Sequence, residues 1–518
     1  MKSISKDTNK KTRILHIGNV ANNAYQNAKI LNNHGYDNMV LSFDYYHVMG
    51  CPEWDDAVIE GEIKNQNYPQ WHKVKLNGFR RPDWFVSAPL KICVKYIEAY
   101  SQDKKIAAYF WKKVVSASRR YISNKESGNF AFVFKFIKFL ITSISILYCL
   151  SLKVLFKCIE LFKFNKKKSS VEAVNSNNCE NSVRARVERD FKELFPDRKC
   201  EFGNELDNYI ACASFFAPAL KYFDVVFAYA TNPIFMYLLG KTNYIAYEHG
   251  TIRDFPYEDS DFGRLMLLSY AKAKAIYCTN IDCYESAKYI TQRTQTPIIC
   301  GLHGIDINAL VSKIDNAKNE NNNISNFISK LEKPLFFSPA RHSWDAQRMC
   351  YIKGEDKFLQ SASKIAAQGH QFSIIMVEWG DNTKDIKAII DADENLKKHI
   401  IWIQPLSKKD LYCLYNQSDA VLDQFILKAY GAISFEVLAA GKPVLISAGA
   451  AEDLEKAFFG EKVLHYSCYD VDEIYDAMME VINKTDRYLE YSNNGRKWIE
   501  EHHSKECIYR ALERAIEA

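Results

Sequence analysis

At 518 residues the chain is long enough for two or three domains, and its 47% hydrophobic and 25% charged content is that of a globular protein. A net charge of +5 is small for this length and gives no argument for nucleic-acid binding. The 14 cysteines form no CxxC pair and no Cys/His cluster at zinc spacing, so they read as reduced cytosolic thiols and not as a disulfide framework or a zinc site.

The first residues, MKSISKDTNKKTR, are polar and basic with no apolar run behind them, unlike a secretory signal peptide. TRILHIGNV is a β-rich run ending at Gly18-Asn19. ANNAYQNAKILNNHG predicts a helix capped near Asn22 and stopped at Gly35, and YDNMVLSFD predicts the next strand. Together they make a βαβ opening with a glycine turn after its first strand. The aromatic loop FDYYHVMGCPEWDD, 43–56, is suited either to stacking on sugars or to packing on the surface.

Residues 84–205 break the alternation and read as a helical insertion, including the polar linker KKKSSVEAVNSNNCENS. Within it, residues 130–168 hold eight lysines and one acid among Phe, Ile, Leu and Val. Their longest uncharged run, 139–152, is 14 residues, short of the roughly 20 that a spanning helix needs. Lysines 135, 138, 153 and 157 suit a helix lying in an anionic membrane interface, with a buried hairpin as the alternative.

Strands resume at FDVVFAYATN, TNYIAYEHG and AKAIYCTN. GLHGID and the Asn/Lys-rich KIDNAKNENNNISN then read as an interdomain linker. A second series follows: PLFFSPAR, a helix near 356–368, FSIIMVEWG, HIIWIQPL, a helix near 407–416, AVLDQF, and the segment KAYGAISFEVLAAGKPVL. The predicted architecture is two Rossmann-like halves with a cleft between them, ligands lying beyond the carboxyl ends of the strands.

The last segment carries the chemistry. Gly431 opens a small apolar helix, and Gly441 and Pro443 end it. A helix N-terminus suits a diphosphate, and Gly431 lets it approach the backbone. Glu436 lies more than a turn further in, where a carboxylate accepts two hydroxyls such as those of a ribose. Arg341, just beyond PLFFS, and Lys353, just before Gly354, make a phosphate clamp if both face the same cleft. Taken singly, an arginine after a strand is more commonly solvated, and a glutamate in such a helix more commonly a local ion pair.

These stretches resemble the family-4 glycosyltransferases, which have the GT-B fold. The resemblance rests on PAR and KG for the clamp, on SKKDLYCLYNQSDAVLD, and above all on YGAISFEVLAAGKPV. It is good over about 301–500, fair over 12–45 and 225–300, and absent over 84–205. It implies that Glu436 holds the donor ribose and that Tyr430, Gly431 and Ala432 complete the donor segment. It also matches Gly18 and Asn19 to a glycine loop, and His249, in YEHGTIRDFPYED, to a histidine facing the donor sugar. Arg253 is placed to neutralise a phosphate. Two positions depart from the pattern. Lys428 stands where the family has a sugar-binding glutamate, so it either points to solvent or meets an acidic sugar, and retaining stereochemistry is open. VEWGDN replaces a glycine pair and brings Glu378 toward the nucleotide.

The expected fold is therefore α/β, GT-B, two Rossmann-like domains facing across a cleft with a helical membrane-associating insertion in the first. The expected boundaries are 1–304 for an acceptor domain, 305–495 for a nucleotide-sugar domain, and 496–518 for a helix crossing back. The expected activity is a retaining, metal-independent hexosyl transfer from a nucleotide-diphosphate sugar to a lipid-linked or cell-envelope polysaccharide acceptor. The nucleotide-sugar is a co-substrate and no cofactor is expected. The expected location is the cytoplasmic face of an anionic membrane. A nucleotide-sugar epimerase of the same fold and a weakly catalytic sugar-binding scaffold are the alternatives; no convincing acid/base pair for an epimerase stands out.

Overall fold

The computed structural model describes residues 11–123, 175–318, 323–343 and 352–518. Seven strands form the first sheet: β1 (Arg13–Ile17), β2 (Asp37–Ser42), β3 (Phe85–Ser87), β4 (Val225–Tyr229), β5 (Tyr244–Tyr247), β6 (Ala275–Cys278) and β7 (Ile298–Cys300). Their order is β3-β2-β1-β4-β5-β6-β7, every pair parallel. The second sheet holds β8 (Leu335–Ser338), β9 (Ser373–Val377), β10 (Ile400–Ile403), β11 (Ala420–Leu422), β12 (Val444–Ile446) and β13 (Tyr466–Ser467). Their order is β10-β9-β8-β11-β12-β13, again parallel throughout. Both sheets carry helices on both faces, which is why central strands such as Val225–Tyr229 and Ser373–Val377 are buried at every position. The order reverses between β1 and β4 and between β8 and β11, and Ala21 after β1 and Pro339 after β8 line one cavity between the sheets. This is the GT-B arrangement.

Two organisational expectations need correction. The stretch 84–205 is not wholly an insertion, because Phe85–Ser87 pairs with β2 as the edge of the first sheet. A three-residue edge strand is too short to show a period. Helices Leu90–Ser101, Lys105–Ser123, Asn175–Leu194 and Glu205–Ser214 follow before β4. The expected membrane segment, 130–168, lies outside the described residues. Among the described residues no helix is long and apolar enough to cross a membrane.

The Asn/Lys-rich stretch is not a loose linker either. It lies largely in helices Ile307–Lys318 and Asn323–Ile328. Ile307, Leu310, Ile314 and Ala317 are buried at helical spacing, and the first helix packs on helices Lys408–Gln417 and Ala432–Ala439. The polar residues between them masked that period.

The expected crossing segment is two helices. Asp486–His502 packs against Ala432–Ala439 in the second domain, and Lys505–Glu517 packs against helix Asn23–Asn33, β6 and β7 in the first. The break falls at His503-Ser504, where the Ser504 hydroxyl accepts from the Cys507 amide at 3.3 Å. Buried His503 sits 2.8 Å from the His303 carbonyl through Nε2. On the first domain, His34 stacks on Tyr509 at 3.7 Å between ring centres, and Arg514 donates to the Cys300 carbonyl at 3.2 Å.

Candidate functional site

A cavity of about 240 Å³ opens between the domains. The first domain contributes Val48, Met49, Trp54 and Asp55, and the second contributes Trp379, Leu406, Lys408, Tyr412, Ile433 and Glu436. Helix Ala432–Ala439 points its N-terminus into this region, and its cap residue Gly431 makes no side-chain capping bond. Its first N–H groups therefore need a partner from elsewhere. Gly431 has an extended backbone (φ −94°, ψ 175°), and a Cβ there would meet nothing nearer than Asp423 at 3.9 Å. Glycine is thus not required for chain geometry here; what it leaves is open access to the helix end. Ala432 beside it is exposed.

One turn on, the Glu436 side chain is 13% exposed. Lys408 Nζ lies 3.5 Å from its Oε1, and the Tyr415 hydroxyl donates to its Oε2 at 3.3 Å. Burial raises the Glu436 pKa, Lys408 opposes that, and Asp55 reinforces it. Asp55 comes from the first domain, and its Oδ1 is 3.3 Å from the same Lys408 nitrogen. Burial opposes ionisation of Asp55, yet Lys408 with the amides of Gln26 and Asn22 holds its pKa below the ordinary value. Lys408, although buried, is held above the usual lysine range by Tyr412, Asp55 and Glu436.

Arg341 and Lys353, the residues expected to clamp a phosphate, both lie beyond the first strand of the second domain. Gly354 adopts φ +76° before helix Glu355–Ala367, and this turn aims Lys353 at the crevice. Lys353 Nζ donates to Gln424 Oε1 at 2.8 Å. Its pKa is lowered, chiefly by burial, with buried Asp423 opposing and with Arg341 and Arg253 adding to the fall. Three cations from both domains therefore share one field. Arg341 is exposed and also depresses His47 of the first domain, whose pKa falls mainly through burial. Arg253 is gripped by Asp282, Nη2 donating to Oδ1 at 2.8 Å with a second bond from Nε to Oδ2. Burial works against the Arg253 charge, and Asp282 more than restores it.

The loop that carries His249 and Arg253 is tied down by Glu248. Its buried carboxylate accepts from the amides of Thr279 at 3.1 Å and Asn280 at 3.0 Å and from the Asn280 side chain at 2.9 Å. The His249 ring packs on Tyr247 at 5.3 Å, and its Nε2 has no hydrogen-bond partner among the described residues. Burial, then Arg253, lowers its pKa to about 3. At neutral pH it is a neutral imidazole with one nitrogen uncommitted.

Four expected residues do other work. Tyr430 is buried and its hydroxyl donates to Glu455 Oε1 at 2.9 Å, so its side chain belongs to the second domain's core. Glu378 pairs with Lys387 at 2.8 Å, and this bond lowers its pKa at the surface. Lys428 is exposed, its ammonium 4.9 Å above the Tyr469 ring. Asn19 is buried with both ends of its amide engaged: Oδ1 accepts from the Tyr25 amide at 3.0 Å, and Nδ2 donates to Gly50 O at 2.9 Å. It fastens the 43–56 loop to the first helix. Gly18 has φ +91°, and a Cβ there would come 2.7 Å from Asn232 Nδ2, so glycine lets β1 and the turn after β4 approach.

Sequence reasoning passed over Asp55, Lys408, Gln424 and Glu248. Lys408 stands in a Lys-Lys-Asp run after a serine cap, which is how a solvated helix start reads. Glu248 was visible beside His249, and an acid at a strand end was its only signal.

The family model for glycosyl transferases group 1 matches residues 346–498. No curated protein matches the chain. Among solved structures, Anabaena HepE with UDP-glucose aligns at 14% identity over 68% of this chain and 98% of that one, TM-score 0.45. A glycosyltransferase from Rickettsia africae aligns at 14% identity over 98% of each chain, TM-score 0.46. An α,α-trehalose 6-phosphate synthase from Burkholderia multivorans aligns at 13% identity over 65% and 83%, TM-score 0.46. Over residues 346–498, most of its second domain, the chain is similar to the glycosyl transferases group 1.

Proposed function

We propose that the protein moves a hexosyl group from a nucleotide-diphosphate sugar to a lipid-linked or envelope polysaccharide acceptor, as a family-4 member. The observation that carries this reading is an uncapped helix N-terminus and the largely covered Glu436 at one cavity, together with three cations from both domains that share one field. The base lies against Trp379, Leu406 and Tyr412 and the ribose on Glu436, all of which line the cavity, and the diphosphate lies between the 432–439 helix start and the field shared by Arg341, Lys353 and Arg253. Charge growing on the departing diphosphate is met by groups already in position, so no metal is required. The uncommitted His249 nitrogen accepts from a sugar hydroxyl or steadies the reacting centre. Lys428, over Tyr469 in solvent, supports the reading in which it does not select an acidic sugar.

The acceptor is taken up by the first domain on the cytoplasmic face of a membrane, with the basic apolar residues 130–168 meeting anionic lipid. The test is nucleotide release from a panel of nucleotide-sugars, with and without lipid-linked acceptors and with chelator present. Acceptor-dependent release that survives chelator is expected. No release from any donor, or release without sugar transfer, overturns the transferase reading. Flotation with anionic liposomes tests the membrane half: the full chain is expected to float and a chain deleted for 130–168 to stay in solution.

A further inference from the structure

Lys408 is the first residue of helix Lys408–Gln417, after the Ser407 cap. A lysine there ordinarily extends into water, because the positive pole of its own helix disfavours a cation. This one is turned inward and is only 20% exposed. Its ammonium stands 3.3 Å from Asp55 Oδ1 and 3.5 Å from Glu436 Oε1, and 5.5 Å from the centre of the Trp54 ring. Two carboxylates and an aromatic face thus offset the unfavourable placement.

Asp55 is itself held rigid. Asn22 and Gln26 donate to its Oδ2 at 2.6 and 2.9 Å, which leaves Oδ1 for Lys408. Its helix, Pro52–Asp56, is anchored by buried Glu53 bonded to Arg81 at 2.7 Å. The first domain therefore sets where the Lys408 nitrogen lies, and Lys408 sets where Glu436 lies.

Resting on the donor-site reading above, we propose that Lys408, anchored across the cleft by Asp55, is a positioning residue that keeps the Glu436 carboxylate ionised and oriented for the ribose hydroxyls. The other groups facing Glu436 do not replace it. Tyr415 and Tyr412 of the same helix are neutral, and Asp55 and Asp56 are acidic. Asp423 behind the helix is acidic as well. Lys313 spends its ammonium on the Asp55 carbonyl. Among the described residues Lys408 is the sole cation paired with Glu436. Without it, burial and Asp55 both push the carboxyl toward its protonated form, which cannot accept two hydroxyls as an anion does.

The experiment is calorimetric binding of UDP, with GDP and ADP in parallel, to the full chain between pH 6 and 9. Wild type and Lys408→Arg should bind with an affinity that is flat across neutral pH. Lys408→Met should bind about tenfold more weakly near pH 7 and recover as pH rises, because burial and Asp55 then raise the Glu436 pKa with no ammonium opposing them. Should Lys408→Met fail to fold, Lys408→Gln carries the same expectation. Wild-type affinity and a flat profile in the substituted protein overturn the positioning role. Glu436→Gln separates the two readings: it should bind weakly at every pH, and wild-type binding by it would remove the ribose assignment itself.

Discussion

Replacing Tyr430 by phenylalanine removes one oxygen and tests whether this residue serves the fold or the donor. Its hydroxyl donates to Glu455 Oε1 at 2.9 Å, in a pocket where Glu455 is 1% exposed. The carboxylate keeps two weaker donors, the amides of Ala450 at 3.3 Å and Val463 at 3.2 Å. The ring, edge-on to Phe459 at 5.5 Å, is unchanged by the substitution. The main loss is the hydrogen bond to a carboxylate, about 1.5–3 kcal/mol, with a longer contact of the hydroxyl to the His465 ring at 3.3 Å lost beside it. In a domain of roughly 200 residues each kcal/mol moves the unfolding midpoint by about 2–4 °C, so a fall of about 3–12 °C is expected. Calorimetric melting reads the stability, and titration with UDP reads the site. An unchanged melting point with weakened UDP binding would refute the core assignment and return Tyr430 to the donor.

Arg341→Ala and Lys353→Ala should each lower turnover by about a hundredfold or more while melting within a few degrees of wild type; wild-type turnover in both would misplace the clamp. Lys353 must be protonated to act, and its pKa is lowered from 10.5 by burial, so kcat/KM should decline with rising pH before an ordinary lysine titrates, and Lys353→Arg should abolish that limb. Gly250 has φ +79°, and a Cβ there would fall 1.9 Å from Arg253 Nη1; Gly250→Ala should dislodge Arg253 from Asp282 and cut turnover at least tenfold, and full activity would show that Arg253 is not needed where it stands. Buried His503 has its pKa lowered to about 4 from 6.5, so the unfolded chain takes its proton first as pH falls below 6.5. Stability present above pH 6.5 is therefore lost toward pH 4, by about 2 kcal/mol at pH 5, and His503→Gln should shrink the fall in melting point between pH 7 and 5.

The central strands and helix Ala432–Ala439 were legible because each is an apolar run closed by a glycine or a polar turn, as in ILHIG and FEVLAAG. The short edges β3, β7 and β13 were not, since two or three residues show no alternation. Helix Ile307–Lys318 was hidden by its composition, although Ile307, Leu310 and Ile314 carry the period. Arg341, Lys353 and Glu436 could be singled out as candidates from their distance to strand and helix ends. Lys408 could not, because its direction depends on Asp55, more than three hundred residues earlier in the chain. Tyr430 shows the opposite failure: a position beside helix Ala432–Ala439 says nothing about which way its side chain turns.

Lys505–Glu517 closes against a helix and two strands that are otherwise complete by residue 300. During synthesis the first domain must therefore wait, with the surface of Asn23–Asn33 bare, until the whole second domain has emerged. The two halves cannot mature as independent units in the order in which they are made. A chain cut anywhere between residues 301 and 504 would strand an unfinished first domain, so a separately produced N-terminal half should be held by chaperones until a peptide spanning 505–517 is supplied to it in trans.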